Sequence, residues 1–256
     1  MVKTDRIIIS FTSWKKRIDR VCHSVDLMLS QTINPDKIIL NLSSDEFPKK
    51  EQELPKCVLD KINDIFEIFW VKENTKVYKK IIPSLIRFPN DVVIAIDDDI
   101  EYPKDYIETL YNEYLKHDKK NPICCYRNNE KGGIFRHSGP FSLVKAEFFG
   151  PYLKDLYYNV VMKYGISRIP ASDDIYFYAA LLNGCLYKVV ELDKLDFYKN
   201  LYSSTRRNPD SYSSYDSKWR STWKNEVELI KNYIKGAYNK SYDDLINDCL
   251  NKEKYS

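Results

Sequence analysis

Residues 92–99 read Val-Val-Ile-Ala-Ile-Asp-Asp-Asp, an apolar run that ends in three consecutive carboxylates. In an extended chain alternate side chains point the same way, so Asp97 and Asp99 share one face, about 7 Å apart at their backbones, while Asp98 takes the other. Like charges about 6 Å apart repel by on the order of 3 kcal/mol at an effective dielectric near 20. A counter-cation is called for, and carboxylates suit a hard divalent ion such as Mg2+ or Mn2+ better than a soft metal. The plain alternative is a solvated turn or a helix N-terminus, which also welcomes acids. The apolar residues ahead favour a central strand, and open α/β sheets bind ligands at the carboxyl ends of their strands. On this spacing Asp98 is the member expected to tolerate substitution best.

The elements that must position these acids follow from the rest of the chain. The first hundred residues alternate short apolar runs with amphipathic stretches, the rhythm of a parallel α/β sheet. Strands are expected at Ile7–Ser10, Lys37–Leu42, Phe66–Val71 and Val92–Ile96. Helical stretches are expected at Ile18–Leu29, Glu51–Ile65 and Val77–Arg87, the last interrupted by Pro83. Asn34-Pro35, Phe47-Pro48 and Phe88-Pro89 mark the joins, because the residue before proline is pushed out of the helical region. Four β-α units then bring the loops 10–14, 41–45 and 72–76 to the same sheet edge as the carboxylates. Thr12, Trp14 and Arg17 lie in or just after the first of these loops. Trp14 either stacks on a base or packs its own loop, and Lys15, Lys16 and Arg17 read equally well as a solvated helix start. Lys79 and Lys80 either meet phosphate or form a solvated helix face.

The second half is less regular. A helix should follow Tyr102-Pro103 as far as His117, then the run Ile123–Tyr126 and a polar loop over 128–139 with Arg136 and His137. Ser142–Lys145 and Cys185–Val190 read as strands, and Asp174–Leu182 as a helix behind the turn 169–172. Trp219, Trp223, Val227, Ile230 and Ile234 fall at helical spacing. That stripe packs on the core, or on a membrane or partner as the alternative reading.

Composition narrows the classes. The 256 residues, 43% hydrophobic with a net charge of +3, can bury a full core and do not demand a nucleic-acid partner. The first of the seven glycines is Gly132, so residues 1–100 contain neither a P-loop nor a Gly-x-Gly-x-x-Gly turn. P-loop NTPases and ordinary Rossmann dehydrogenases are thereby excluded. Six cysteines at 22, 57, 124, 125, 185 and 249 lack Cys-x-x-Cys spacing, which points to reduced thiols rather than a zinc site or disulfide framework. No apolar run approaches the roughly 20 residues needed to span a bilayer. The strand-like start after Arg6 leaves no signal-type apolar segment, so a cytoplasmic protein is expected. Peripheral contact with the inner face of a membrane is compatible with the 21 tyrosines and four tryptophans.

A four-unit α/β half ending in a strand and an Asp-x-Asp signature resembles the GT-A class of nucleotide-sugar glycosyltransferases. The strings Ser-Phe-Thr-Ser-Trp-Lys-Lys-Arg-Ile (10–18), Gln-Thr-Ile-Asn-Pro-Asp-Lys-Ile-Ile-Leu (31–40), Tyr-Lys-Lys-Ile-Ile-Pro-Ser-Leu (78–85), Ile-Asp-Asp-Asp-Ile-Glu-Tyr-Pro (96–103) and Ser-Asp-Asp-Ile (172–175) are similar to a bacterial surface-glycan branch of these enzymes, family 2-like. The resemblance implies an α/β GT-A fold, Rossmann-like with a mostly parallel sheet between helices and a C-terminal helical extension. Residues 1–101 would form the donor half, 102–200 the acceptor half and 201–256 the extension. It also implies a UDP-linked donor, a hexosyl or N-acetylhexosaminyl group to transfer, and a glycan or lipid-linked glycan acceptor. Mn2+ or Mg2+ would be held by Asp99 with Asp97, with Asp97 also facing ribose or base. Asp98, Thr12, Trp14, Arg17, Lys79 and Lys80 would line the donor site. Asp174 takes the place of the general base, with Asp173 beside it; the plain reading of Ser172 or Asp173 is an ordinary helix N-cap.

One departure stands out: no histidine follows His137, whereas many GT-A enzymes use a late histidine as a metal ligand. Phosphate and water, or a late residue such as Asp196 or Asn200, would then complete the metal. A nucleotidyltransferase shares the α/β half but ordinarily carries glycine directly after the first strand. A non-catalytic carbohydrate-binding descendant would not need Asp97, Asp99 and Asp174 intact.

Overall fold

The computed structural model describes residues 3–124, 142–163, 174–190 and 219–254. The four expected apolar runs form β1 (Ile7–Thr12), β2 (Lys37–Ser43), β3 (Phe66–Val71) and β4 (Val92–Ala95). They are parallel, with Ile8 opposite Val93 on one side and opposite Lys37 on the other. Short strands β5 (Ile123–Cys124), β6 (Ser142–Val144) and β7 (Lys188–Val189) extend the sheet to the order β3-β2-β1-β4-β6-β5-β7. β6 runs antiparallel to both β4 and β5, so the sheet is mostly rather than wholly parallel.

Alternate residues of the central strands enter two cores. Ile7 and Ile9 pack under α1 (Val21–Leu29), α2 (Lys56–Leu59) and α4 (Tyr106–Lys116). Ile8 and Val93 pack under α3 (Ile82–Arg87), α5 (Tyr152–Leu156), α6 (Asp174–Leu182), α7 (Trp219–Tyr238) and α8 (Tyr242–Lys254). Cover on both faces explains why these strands read as continuous apolar runs rather than alternating ones. The architecture is the expected α/β sandwich with a C-terminal helical extension.

Two stretches read as single helices are divided. The stretch 51–65 is not one helix: Pro55 divides a 3-10 helix, Lys50–Glu53, from the single turn of α2. The Asn63 side chain then accepts from the backbone N–H groups of Ile65 and Phe66 at 2.7 and 2.8 Å, which turns the chain into β3. The stretch 77–87 is likewise two pieces, the 3-10 helix Lys76–Lys80 and α3. Pro83 sits in the first turn of α3, where its missing N–H leaves no helical bond unmade.

The thiol reading is overturned for one pair. α1 and α2 pack side by side and bring the Cα atoms of Cys22 and Cys57 to 6.2 Å, and the two sulfurs are bonded. Cys124 and Cys249 are buried, and the Cys249 thiol donates to Leu181 O. The stripe on α7 resolves to the core: Val227, Ile230 and Ile234 are all buried. The Tyr233 and Tyr238 hydroxyls clamp the same helix to α5 by donating to Asp155 at 2.9 and 2.6 Å. Among the described residues no helix is long and apolar enough to cross a membrane.

Candidate functional site

The carboxyl edge of β1 and β4 gathers the acids. β4 ends at Ala95, and Ile96 makes the last sheet-like bond, its N–H donating to Ser10 O at 3.1 Å. Asp98 and Asp99 therefore lie in a turn, and the strand alternation that paired Asp97 with Asp99 does not reach them. The turn is held from several sides. Tyr102 Oη accepts from the Asp97 N–H at 2.7 Å, and Ser24 Oγ donates to the Asp98 carbonyl at 3.3 Å. Gln31 grips the segment behind it, its Nε2 donating to Pro103 O at 2.8 Å and its Oε1 accepting from Ile107 N–H at 3.0 Å.

The cations demanded by electrostatics are present in the chain itself. Arg17 reaches across from the first loop and forks, Nη2 lying 2.6 Å from Asp98 Oδ1 and Nη1 2.5 Å from Asp99 Oδ2. Such a planar fork fits two carboxylates better than an ammonium would. On the other face Lys80 Nζ lies 2.6 Å from Asp97 Oδ1. Lys79 turns instead to Asn74 Oδ1 at 2.6 Å and to Glu46 at 3.5 Å. Both lysines are buried, so the solvated-face alternative does not apply to them.

Burial dominates the proton affinities. It pushes the Asp98 carboxyl up to about 7, against the pull of Arg17 and the hydrogen bond from Ser13. Asp99 is raised by burial and then by the neighbouring Asp97 charge, with Arg17 and Lys80 opposing. Burial lowers Lys79, with Glu46 opposing. Asp98 was expected to be the most tolerant of the three acids and is instead the most enclosed, 3% exposed and tied to Ser13 and Arg17. A side chain so buried among charges is costly to truncate.

Arg17 also lines a cavity of about 150 Å3 with Thr12, Trp14, Glu46, Asn74 and Lys79 among others, while Asp98 and Asp99 themselves line a separate cavity of about 460 Å3 with Arg20, His23 and Glu101. Lys16 lies 5.3 Å above the Trp14 ring, so the indole is shared between its own loop and the cavity wall. The first, second and third β-α loops do meet here, as their positions in the chain require.

The donor set at Asp97 and Asp99 suits a hard dication in kind. The Asp97 charge acts on the Asp99 carboxyl, and the Asp97 side chain is 29% exposed. Among the described residues no group of three or more His, Cys, Asp or Glu is arranged to hold a metal ion. Two protein carboxylates with the remaining positions left to ligand oxygens and water is an arrangement typical of Mg2+.

Asp174 opens α6 and is 1% exposed. Asp173, His137, Asp196 and Asn200 lie outside the described residues, as do the loop 128–139 and the turn 169–172. Sequence reasoning passed over Ser13, Gln31 and Tyr102, although each stands inside one of the five strings. It also passed over a buried polar knot in which Asn41 donates to Ser10 Oγ at 3.0 Å, Ser10 and Ser84 share a hydrogen at 2.6 Å, and Ser10 Oγ donates to Lys80 O. The signal for these was available as polar residues interrupting apolar runs.

No protein-family profile matches the chain, and no curated protein matches it. Solved structures that it is similar to include the mannosyltransferase PcManGT from Pyrobaculum calidifontis, in complex with GDP-Man and Mn2+, at 10% identity and a TM-score of 0.48 over 99% of this chain and 81% of that one. Residues 1–349 of TarS from S. aureus are similar at 12% identity and a TM-score of 0.46, over 90% of this chain and 72% of that one. The same TarS fragment with UDP-GlcNAc is similar at 10% identity and a TM-score of 0.44, over 93% and 74% of the two chains.

Proposed function

We propose that this chain is a nucleotide-sugar glycosyltransferase that moves a hexosyl or N-acetylhexosaminyl group from a UDP-linked donor to a hydroxyl of a bacterial surface-glycan acceptor. The observation that carries the reading is one arrangement. Asp97 and Asp99, with Arg17 and Lys80 against them, stand at the carboxyl edge of a parallel sheet, and Arg17 also lines a cavity together with Thr12, Trp14 and Lys79. In this reading residues 1–101 bind the donor, 102–200 receive the acceptor and 201–256 brace both.

The nucleoside enters the cavity, where Trp14 offers a ring face and Thr12, Glu46 and Asn74 offer polar atoms. Asp97 takes the ribose side. Lys80 and Arg17 lie where the diphosphate arrives, and each can trade part of its carboxylate contact for a phosphate oxygen. Asp97 and Asp99 are the residues that would hold Mn2+ or Mg2+, which supplies charge stabilisation to a departing diphosphate. Asp98 keeps the guanidinium of Arg17 in place. Asp174, with Asp173 next to it, accepts the proton of the acceptor hydroxyl while that oxygen bonds to the anomeric carbon and the bond to the diphosphate oxygen breaks, with inversion. The proposed place of action is the cytoplasm or the inner face of the membrane. The Cys22–Cys57 bridge is the observation that weighs against it, since disulfides persist in oxidising compartments.

The test is turnover of a panel of UDP- and GDP-sugars with Mn2+, read as released nucleoside diphosphate. One donor class should be consumed and chelation should stop it. A protein that consumes none, with Asp99→Asn indistinguishable from wild type, would sink the enzymatic reading.

A further inference from the structure

A 3-10 helix has three residues per turn, so three consecutive side chains leave it about 120° apart. The segment Lys76–Lys80 uses this to enter three different places with Tyr78, Lys79 and Lys80, which are 1%, 2% and 3% exposed. Lys79 enters the wall of the cavity at Asn74 and Glu46. Lys80 enters the carboxylate turn at Asp97. Tyr78 leaves in the third direction, and its hydroxyl donates to Glu226 Oε1 at 2.7 Å. Glu226 belongs to α7, 148 positions further along the chain, and is fully buried.

Two features show that the rotation of this segment is held from outside. A short 3-10 turn has poor internal hydrogen-bond geometry and little stability of its own. It also begins at Lys76 with φ 52, a left-handed conformation that strains a non-glycine residue and persists where the surroundings over-determine it. Lys76 N–H is caught by Asn74 Oδ1 at 3.1 Å, the Tyr78 ring packs edge-on against Tyr157 at 5.8 Å, and Ser10 Oγ donates to Lys80 O. Glu226 adds a further constraint, because giving up a hydrogen bond to a buried carboxyl is expensive. Turning the segment to release Tyr78 from Glu226 would swing both lysines off their partners.

We propose that Tyr78 and Glu226 are positioning residues for the donor site: helix α7 of the C-terminal extension sets the rotation of the 76–80 segment and so delivers Lys79 and Lys80. The inference deepens the proposed function and rests on the donor site lying where Lys79 and Lys80 point. It makes the C-terminal extension part of the binding unit rather than an appendage.

The experiment uses the full chain with Tyr78→Phe, which keeps the ring and deletes the hydroxyl, and Glu226→Gln, which keeps an acceptor for it. Three quantities are read: UDP affinity with Mn2+, the KM and kcat for the donor, and amide hydrogen exchange over 76–81 without ligand. Tyr78→Phe should weaken UDP and raise the donor KM by about tenfold, the effect of one buried hydrogen bond, with kcat changed by less than about twofold. Exchange over 76–81 should quicken while β1 and β4 stay as protected as in wild type. Glu226→Gln should remain within about twofold of wild type in UDP affinity. The proposal is overturned if Tyr78→Phe leaves exchange and UDP affinity unchanged, or if Glu226→Gln loses as much as Tyr78→Phe. Should wild type bind no nucleotide, the donor-site reading falls by that result, and exchange over 76–81 alone decides the positioning role.

Discussion

Arg17→Ala should lower stability by about 3–5 kcal/mol, the scale expected when one partner of a buried ion pair is removed. The arginine side chain is 12% exposed and its partners Asp98 and Asp99 are 1% and 7% exposed, so no solvent stands ready to replace it. Arg17→Lys restores the charge without the fork and should recover only part of the loss. The sign of the pH dependence follows from the raised carboxyls. Asp98 binds its proton up to about pH 7 in the folded protein but only to 3.8 when unfolded, so stability falls as pH rises through that window and then levels. Without Arg17 the attraction that holds Asp98 and Asp99 down is gone, and the decline should continue above pH 7. Urea unfolding at several pH values, with chelator present, should therefore show a penalty for Arg17→Ala that is smallest in acid and keeps growing as the pH rises above 7. A penalty independent of pH would show that the guanidinium does not govern the two carboxyls.

Asp174→Asn should lower donor turnover by about 10²–10⁴, the range contributed by a general base, while leaving UDP affinity within about twofold. The change conserves shape and removes only the ability to take a proton. Asp174 is enclosed at the first turn of α6, where an isosteric amide fits with little rearrangement. Asp173→Asn provides the internal comparison and should cost far less. Turnover by Asp174→Asn at the wild-type rate would show that Asp174 is not the base.

The central strands were legible because burial on both sheet faces writes itself as unbroken Val and Ile, and β3 occupies the span expected of it. Helix α6 was legible for a similar reason: an acid pair followed by eight apolar or aromatic residues marks both its start and its length. The helix at 51–65 was over-read, and the late start that Pro83 announces for 77–87 falls at Ile82, behind a separate 3-10 turn. Apolar spacing continues through both, whereas Pro55 and the break at Ile81 are local backbone effects that spacing does not encode. The residues that gather at this sheet edge were legible in the sequence, but their partners were not. Asp97, Asp98, Asp99, Arg17 and Lys80 were all identified from motif and position, yet the strand alternation assigned Asp98 to an idle face. That assignment failed because β4 ends at Ala95, two residues short of the acids, and the turn then follows Ser13, Ser24 and Tyr102 rather than the pleat. The pairing of Cys22 with Cys57 and of Tyr78 with Glu226 depends on tertiary approach between distant elements, which neither spacing nor composition reveals.

The account stands most directly on titration of UDP into wild type and Asp99→Asn, each with Mn2+ and with chelator. It predicts that Mn2+ tightens UDP binding to wild type by about tenfold or more, and that Asp99→Asn folds but binds UDP equally weakly with and without the metal. Equal UDP affinity in all four titrations, or no UDP binding to wild type under any of them, would contradict it.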